Sequence, residues 1–276
     1  MTPRPLINAM TVDLEDWYQG LEIPSSRWRR YEDRVAPATH RLLTLLDDAS
    51  VRATFFILGD VADRHPELVA EVADTGHEIA THGQSHAFVY DQTPSAFQAE
   101  IERCVGMLED LTGQRVVGHR APFFSITRDS LWALDVLASL GILYDSSVFP
   151  VSNYRYGIPD APRWPYQVDS NRGRITEFPI STTRIWGRNL PAAGGAYFRI
   201  YPYALTRHTL KAINRGGQPA VFYLHPWEVD PRQPRIDLPR RISATHYFNL
   251  RATERRLRRL LRDFRFAPMK EVLGVG

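Results

Sequence analysis

His82 and His86 stand four residues apart in the run Thr81-His82-Gly83-Gln84-Ser85-His86. On a helical turn that spacing puts both imidazoles on one side, within reach of a single ion. Neutral imidazole suits zinc and other late first-row divalent metals. A surface pair of histidines has the same spacing, so the pair alone suggests a metal site without requiring one. A zinc-protease arrangement is excluded: that motif needs a glutamate directly after the first histidine, and Gly83 stands there. Any catalytic base must come from elsewhere in the chain.

Three other segments offer chemistry. Asp13-Leu14-Glu15-Asp16 closes an apolar run, and in extended backbone Asp13 and Glu15 point to the same face. One carboxylate could complete a metal shell while the other takes a proton from water; a solvated acidic turn is the competing reading. Gly118-His119-Arg120-Ala121-Pro122-Phe123-Phe124 follows another strand-like run. Arg120 there could pin a carboxylate and hold it ionised, or simply make a structural ion pair. Val221–Trp227 ends an apolar run in His225, which is either a structural histidine or an acid at a strand end.

The elements that must position these residues alternate in type. Strand-like runs occupy Leu6–Asp13, Ala53–Leu58, Glu78–Thr81, Val116–His119, Ile142–Tyr144, Ile175–Ile180 and Ala220–Leu224. Between them lie helical patterns at about Pro37–Asp48, Pro66–Gly76, Pro94–Gly113, Thr127–Leu140 and Tyr203–Arg215, with a last one at about Leu250–Phe264. Proline starts, glycine stops and the threonine caps Thr93 and Thr127 mark several boundaries. Alternating strands and helices predict a mostly parallel sheet, and seven or eight units predict an α/β fold of the irregular (β/α) barrel type. An open doubly wound sheet is the alternative, but no glycine-rich phosphate loop follows the first strand. In a parallel fold the carboxyl ends of the strands share one mouth, which is where all four chemical segments fall. Residues 148–173 are the least regular stretch, rich in proline, with Tyr154, Tyr156, Trp164 and Tyr166 suited to an ordered loop or a substrate wall.

Composition narrows the class. Thirty-four basic against 31 acidic residues leave +3, which provides no field for a polyanion, so no nucleic-acid partner is expected. The single cysteine, Cys104, excludes an internal disulfide and lies in the helical stripe Phe97, Ile101, Cys104, Val105, Leu108, where packing is expected. Met1–Met10 lacks a secretion signal and no run reaches the ~20 apolar residues that span a bilayer, so a cytoplasmic protein is expected. In the last helical pattern, Arg255, Arg256, Arg258, Arg259 and Arg262 surround Leu257, Leu260, Leu261 and Phe264. That pattern is a solvated face on a core-packed helix, or a peripheral contact with the inner face of a membrane through residues 250–264.

In order and spacing, these motifs resemble the polysaccharide deacetylases of the NodB-homology group, also called carbohydrate esterase family 4. The resemblance runs from Thr11 to Pro231. Tyr144-Asp145-Ser146-Ser147, Glu177–Thr182, Gly194–Arg199 and Leu224–Glu228 are similar to the subgroup found with bacterial exopolysaccharide loci and exosortase-linked systems. The resemblance implies one catalytic domain over 1–276, with an extension at about 231–276 packed on it. Asp13 matches the catalytic base, His82 and His86 the metal ligands, and Arg120 the residue that orients the base. Pro122 and Phe123 match the segment beside the site, and His225 the catalytic acid. Many members have two adjacent aspartates, the second a ligand, where this chain has Asp13 and Leu14. Glu15 is the expected third ligand, with Asp16 as competitor.

The implied reaction removes an N-acetyl group from an amino-sugar polysaccharide or lipid-linked oligosaccharide intermediate of exopolysaccharide biosynthesis. It would use one divalent ion, zinc first, with cobalt or manganese as alternatives. A backbone N–H near Phe123 is expected to face the oxyanion, and Asp145 to raise the pKa of His225. His77 and Glu78 are expected to be structural. Two other readings share the fold: a small-molecule amidohydrolase of the ureide type, and a glycan-binding relative without catalysis.

Overall fold

Eight consecutive residues, Ile7–Leu14, form strand β1, buried from Asn8 onward, and the rest of the sheet is laid out from it. The chain was described with a computed structural model covering residues 6–170 and 172–275; part of the N-terminal stretch, 1–5, lies outside the described residues. The strands that follow are β2 (Thr54–Ile57), β3 (Glu78–Thr81), β4 (Gly118–His119), β5 (Tyr144–Asp145), β6 (Tyr166–Ser170) and β7 (Gly173–Glu177). They continue with β8 (Thr182–Ile185), β9 (Arg188–Pro191), β10 (Val221–Leu224) and β11 (Arg265–Ala267).

The main sheet runs β10-β1-β2-β3-β4-β5-β7-β6. Every neighbour from β10 to β7 is parallel, and only β6–β7 is antiparallel. Strands of a parallel sheet are covered on both faces, so they read as continuous apolar runs; β2, Thr54-Phe55-Phe56-Ile57, is buried throughout. The two ends of the curve meet without a ladder. Val221 N–H donates to Ser181 Oγ at 2.8 Å, and Gly194 bridges Tyr223, so β10 touches the chain that leaves β7. The result is the expected α/β fold, an irregular barrel joined at its seam by isolated contacts.

The helices are α1 (Val35–Asp48), α2 (Gly59–Arg64), α3 (Pro66–Asp74), α4 (Pro94–Thr112), α5 (Trp132–Ser139), α6 (Gly195–Ile200), α7 (Tyr203–Arg215), α8 (Arg240–Tyr247), α9 (Leu250–Asp263) and α10 (Met269–Leu273). Thr93 Oγ1 accepts the Ala96 N–H at 3.2 Å and Gly113, at φ 65°, stops α4. That helix buries Phe97, Ile101, Cys104 and Leu108, as the stripe predicts. Thr127 also caps, but its capping box with Ser130 opens a 3-10 turn, and the α-helix begins only at Trp132.

Residues 148–173 are not wholly loop: Tyr166–Ser170 is a strand, paired along its length with β7. The hairpin β8–β9 and the helices α6 and α8 have no counterpart in the sequence reading. On α9, Leu257, Leu260 and Leu261 are buried and the helix packs on the 226–229 turn and on α6, α1 and α7. Leu257, Leu260 and Leu261 of the stripe are therefore packed inside the protein, with Phe264 partly buried. The arginines of α9 face outward, with Arg258 paired to Asp48 and Glu254, or cap the carbonyls of Phe198, Arg199 and Tyr201 through Arg256. Among the described residues no helix is long and apolar enough to cross a membrane.

Candidate active site

The carboxyl ends of β1, β3, β4 and β10 open on one cleft of about 700 Å³. Asp13, Glu15, His82, His86, Phe123 and His225 all line it. Parallel strands gather their carboxyl ends on one side, and each of these residues lies at or just past such an end.

Glu15, His82 and His86 each offer a ligand atom, and the three atoms lie within 4.8 Å of one another. His82 Nδ1 is 2.8 Å from the Arg120 carbonyl oxygen, which accepts its proton and leaves Nε2 with a lone pair. Burial lowers the His82 pKa to about 4, so the ring is neutral, the form that binds a metal. His86 Nε2 sits 2.6 Å from Glu15 Oε2. Burial opposes the Glu15 charge, but His86 and then His225 outweigh it and hold that carboxyl at about 2. Two imidazoles and one ionised carboxylate are a donor set for a divalent transition metal. Among the described residues His86 Nδ1 is buried without a partner.

The two histidines do not share a helical turn. Residues 82–87 form a loop, bent by left-handed backbone at Gly83 (φ 75°) and His86 (φ 59°). The conformation at His86 costs an L-residue roughly 1–2 kcal/mol and must be held by its surroundings. Glu100 on α4 does the holding. One of its oxygens accepts the N–H of Gln84 at 2.9 Å, the N–H of Ser85 at 2.6 Å and the Ser85 hydroxyl at 2.7 Å. Glu100 was missed from sequence, although an acid three residues after Phe97 and four before Cys104 on the core-facing stripe was the available signal.

Asp16 is occupied elsewhere. Its carboxylate accepts the N–H groups of Trp17 (2.8 Å), Arg34 (2.8 Å) and Val35 (3.2 Å), which ties it to the start of α1.

Asp13 accepts from Arg120 Nη1 at 2.6 Å. Arg120 is wholly buried and also donates to Thr11 Oγ1, Ser146 O and Ser146 Oγ, while Phe56 lies 4.2 Å beneath its guanidinium. Four of its five N–H donors are used, which fixes the guanidinium and so orients Asp13. His225 Nε2 faces it at 3.9 Å and faces Glu15 Oε1 at 3.5 Å. The other ring nitrogen, Nδ1, is 3.0 Å from Glu228 Oε2, and Glu228 Oε1 accepts from Arg199 Nε at 2.6 Å. Burial works against protonation of His225, but Glu15, Glu228 and Asp13 together raise its pKa to about 9.

Asp145, the expected partner of His225, is somewhere else. It is fully buried against His119 Nδ1 at 2.6 Å and accepts the Ser147 hydroxyl at 2.7 Å. It ends β5, with β1, β2, β3 and β4 between it and β10, and its carboxylate is taken up by His119 and Ser147 instead of His225. Glu228, three residues after His225 across a 3-10 turn, takes the role, its Oε2 lying 3.0 Å from Nδ1 and accepting the His225 backbone N–H at 3.0 Å. His77 accepts the Ala53 N–H and Glu78 bonds Thr54 and Tyr144, so both are structural.

The walls are aromatic. Phe123, at φ 55°, presents its ring edge to His86 at 4.5 Å and stacks on Phe88. Pro122 precedes it inside the fold. Tyr154 and Tyr156 line the cleft as expected, whereas Trp164 lies under Arg163 at 4.8 Å and Tyr166 pairs in β6. Trp227 stacks on His225 and on His246. Arg241, Ile242 and Thr245 of α8 form part of the wall, so the C-terminal segment contributes to the site. Arg199 secures that segment through the carbonyls of Thr245, His246 and Phe248, each at 2.9 Å.

Residues 28–144 match the family model for polysaccharide deacetylase, and residues 146–274 match a domain of unknown function, DUF3473. A peptidoglycan deacetylase-like protein of Gibberella zeae is 36% identical over 110 residues, 39% of this chain and 32% of its own length. A peptidoglycan-N-acetylglucosamine deacetylase of Bacillus cereus is 31% identical over 98 residues, 35% of this chain and 36% of its own. A chitooligosaccharide deacetylase of Rhizobium leguminosarum is 33% identical over 109 residues, 39% of this chain and 48% of its own. The matches thus span between a third and a half of these curated relatives.

Among solved structures, a Mycobacterium smegmatis protein provisionally assigned as a polysaccharide deacetylase superposes with a TM-score of 0.70 at 23% identity, over 99% of this chain and 91% of that one. A peptidoglycan deacetylase of Bacillus subtilis gives 0.52 at 13% identity, over 99% and 93%. These likenesses concern the fold. The sheet crosses the boundary between the two matched stretches: β1 to β4 precede it, β7 and β10 follow it, and the cleft draws His82, His86 and Phe123 from the first and His225 from the second. Residues 28–144 therefore resemble the polysaccharide deacetylase family in sequence, on a chain whose described residues have a fold of the same α/β kind.

Proposed function

We propose that this protein is a metal-dependent hydrolase that removes N-acetyl groups from an amino-sugar glycan. The observation that carries the reading is the convergence on one cleft of three chemically distinct parts: the Glu15–His82–His86 donor set, Asp13 locked by Arg120, and His225 facing both carboxylates. A divalent ion on that donor set, zinc first and cobalt or manganese as alternatives, would polarise the acetyl carbonyl and acidify water.

The chain's own residues supply the rest. Asp13, oriented by Arg120, takes the proton of the attacking water. The backbone N–H of Phe123 faces the oxyanion that forms on the amide oxygen. His225, protonated at Nε2, delivers a proton to the leaving amine, and Glu228 stabilises that protonated form from the opposite nitrogen. Tyr154, Tyr156, Tyr197 and Trp227 provide apolar faces on which sugar rings can rest.

The resemblance to the exopolysaccharide-locus subgroup supports a polysaccharide, or a lipid-linked oligosaccharide intermediate of its synthesis, as the substrate. The test is acetate release from chitin-type oligosaccharides by the purified chain loaded with zinc or cobalt. Release that stops on chelation and returns with metal is the expected result. No acetate from any acetylated amino sugar, with metal bound, would leave the small-molecule amidohydrolase or the non-catalytic glycan binder as the better reading.

A further inference from the structure

The hairpin β8–β9 ends in Ile185-Trp186-Gly187-Arg188, and Trp186 is 98% exposed. Both turn residues have positive φ, 48° at Trp186 and 78° at Gly187, the pattern of a two-residue type I′ turn. That turn favours asparagine, aspartate or glycine at its first position, so local folding does not ask for tryptophan there. Packing does not ask for it either, since the ring is in solvent. The register pairs Ile185 with Arg188 and Thr183 with Leu190, which puts Ile185 and Leu190 on one face of the hairpin. Both are exposed, at 38% and 39%.

Cations surround this apolar tip. Arg184 and Arg188 flank the turn, and Arg163 donates to Thr182 Oγ1 and O at the hairpin base. Residues 182–191 contain no carboxylate. The one amide, Asn189, donates to the Pro159 carbonyl. A tryptophan that served as a sugar platform for the cleft would line it, and Trp186 is not among the lining residues. A tryptophan with aliphatic neighbours and flanking arginines matches the boundary between acyl chains and phosphates of a bilayer.

We infer that the β8–β9 hairpin is a membrane-docking element that seats on an anionic phospholipid surface, with Trp186 and Ile185 at the headgroup–acyl boundary and Arg184 and Arg188 on the phosphates. The return strand runs directly into Gly195 and Ala196 of the cleft wall, so docking would hold that wall near the lipid. This inference stands apart from the catalytic reading, because lipid binding is measured without turnover.

The experiment is co-sedimentation of the full chain with vesicles of phosphatidylcholine alone or mixed with phosphatidylglycerol. The wild type should bind the anionic vesicles, more weakly as salt rises. Trp186→Ala should lose about ten-fold in binding, and Arg184→Ser and Arg188→Ser roughly five-fold each, with melting temperature unchanged because all three side chains are exposed. No binding to either vesicle, or equal binding by wild type and Trp186→Ala, would overturn the inference. So would a Trp186→Ala variant that keeps vesicle binding but raises KM for soluble chitin oligosaccharides, which would make the tip a sugar platform. A wild-type dimer that Trp186→Ala dissociates, with vesicle binding unaffected, would assign the tip to a second copy instead.

Discussion

His225 Nδ1 donates to Glu228 Oε2 across 3.0 Å, and the pair is clamped from behind by Arg199. Burial alone would favour a neutral imidazole, yet Glu15, Glu228 and Asp13 raise it to about 9. Burial likewise disfavours the Glu228 charge, and Arg199 with His225 reverse that and hold it at about 2. The imidazolium is therefore the working form at neutral pH and is lost as pH rises through about 9.

Glu228→Gln should move the alkaline limb of kcat to lower pH. When an ion shares the Glu15 charge, Glu228 becomes the principal group supporting the imidazolium. The variant should fold, because Arg199 keeps three carbonyl acceptors. A pH–rate profile measured with metal loaded checks this, and an unmoved alkaline limb would show that Glu228 does not tune the acid.

Glu15 and Asp16 are neighbours with different work. Glu15→Gln should weaken zinc or cobalt binding, and His82→Ala should abolish it, by titration calorimetry or metal analysis. Asp16→Asn should keep the metal and lower stability instead, by about 1 kcal/mol or more for its backbone N–H partners at the start of α1. If Asp16→Asn lost metal while Glu15→Gln kept it, the ligand assignment would be reversed.

Asp13→Asn should lower kcat by roughly 10²–10⁴ while metal affinity holds, the loss typical of a positioned base. Arg120→Met is a different experiment. It leaves a buried carboxylate without its cation, which costs roughly 3–5 kcal/mol, so a large fall in melting temperature is expected along with lost activity. Equal melting temperatures for Arg120→Met and wild type would mean that the pair does not hold Asp13 in place.

Leu257→Ala should destabilise the chain by roughly 2–5 kcal/mol in urea unfolding, since that side chain is fully buried on α9. Arg255→Ala, on the exposed face, should fall within roughly 0.5 kcal/mol of wild type. Comparable small effects at both positions would contradict the placement of the stripe in the core.

How far the sequence could be read depended on whether a residue's role was local. Helices α3 and α4 were legible to within a residue or two because Pro66, Pro94 and Gly113 act on their own backbone. Strand β2 was legible because both its faces are covered. The histidine loop was misread as a helical turn, since a spacing of four is shared by helices and by loops bent at a glycine, and the bend depends on Glu100 from another helix. Strand β6, Tyr166–Ser170, alternates between partly buried and exposed residues, but five residues directly after a proline-rich stretch are too short a signal without the β7 partner that pairs them. The β8–β9 turn was unreadable because Trp-Gly is not a usual type I′ pair.

By itself the sequence determined the candidate residues and the end of the fold at which they gather: Asp13, His82, Arg120 and His225 close or directly follow strand-like runs, His86 lies four residues past His82, and parallel strands have one carboxyl side. Only tertiary structure decided which neighbours serve them. β1 stops at Leu14 and the Glu15 N–H turns back onto the Asp13 carbonyl at 3.1 Å, so strand parity past that point was a matter of packing, which sends Glu15 to the histidines and Asp16 to α1. Glu228 displaces Asp145 as the partner of His225 for the same reason. Charge partners in a buried site are chosen by distance across the fold, and a linear chain carries residue types and spacings but not those distances.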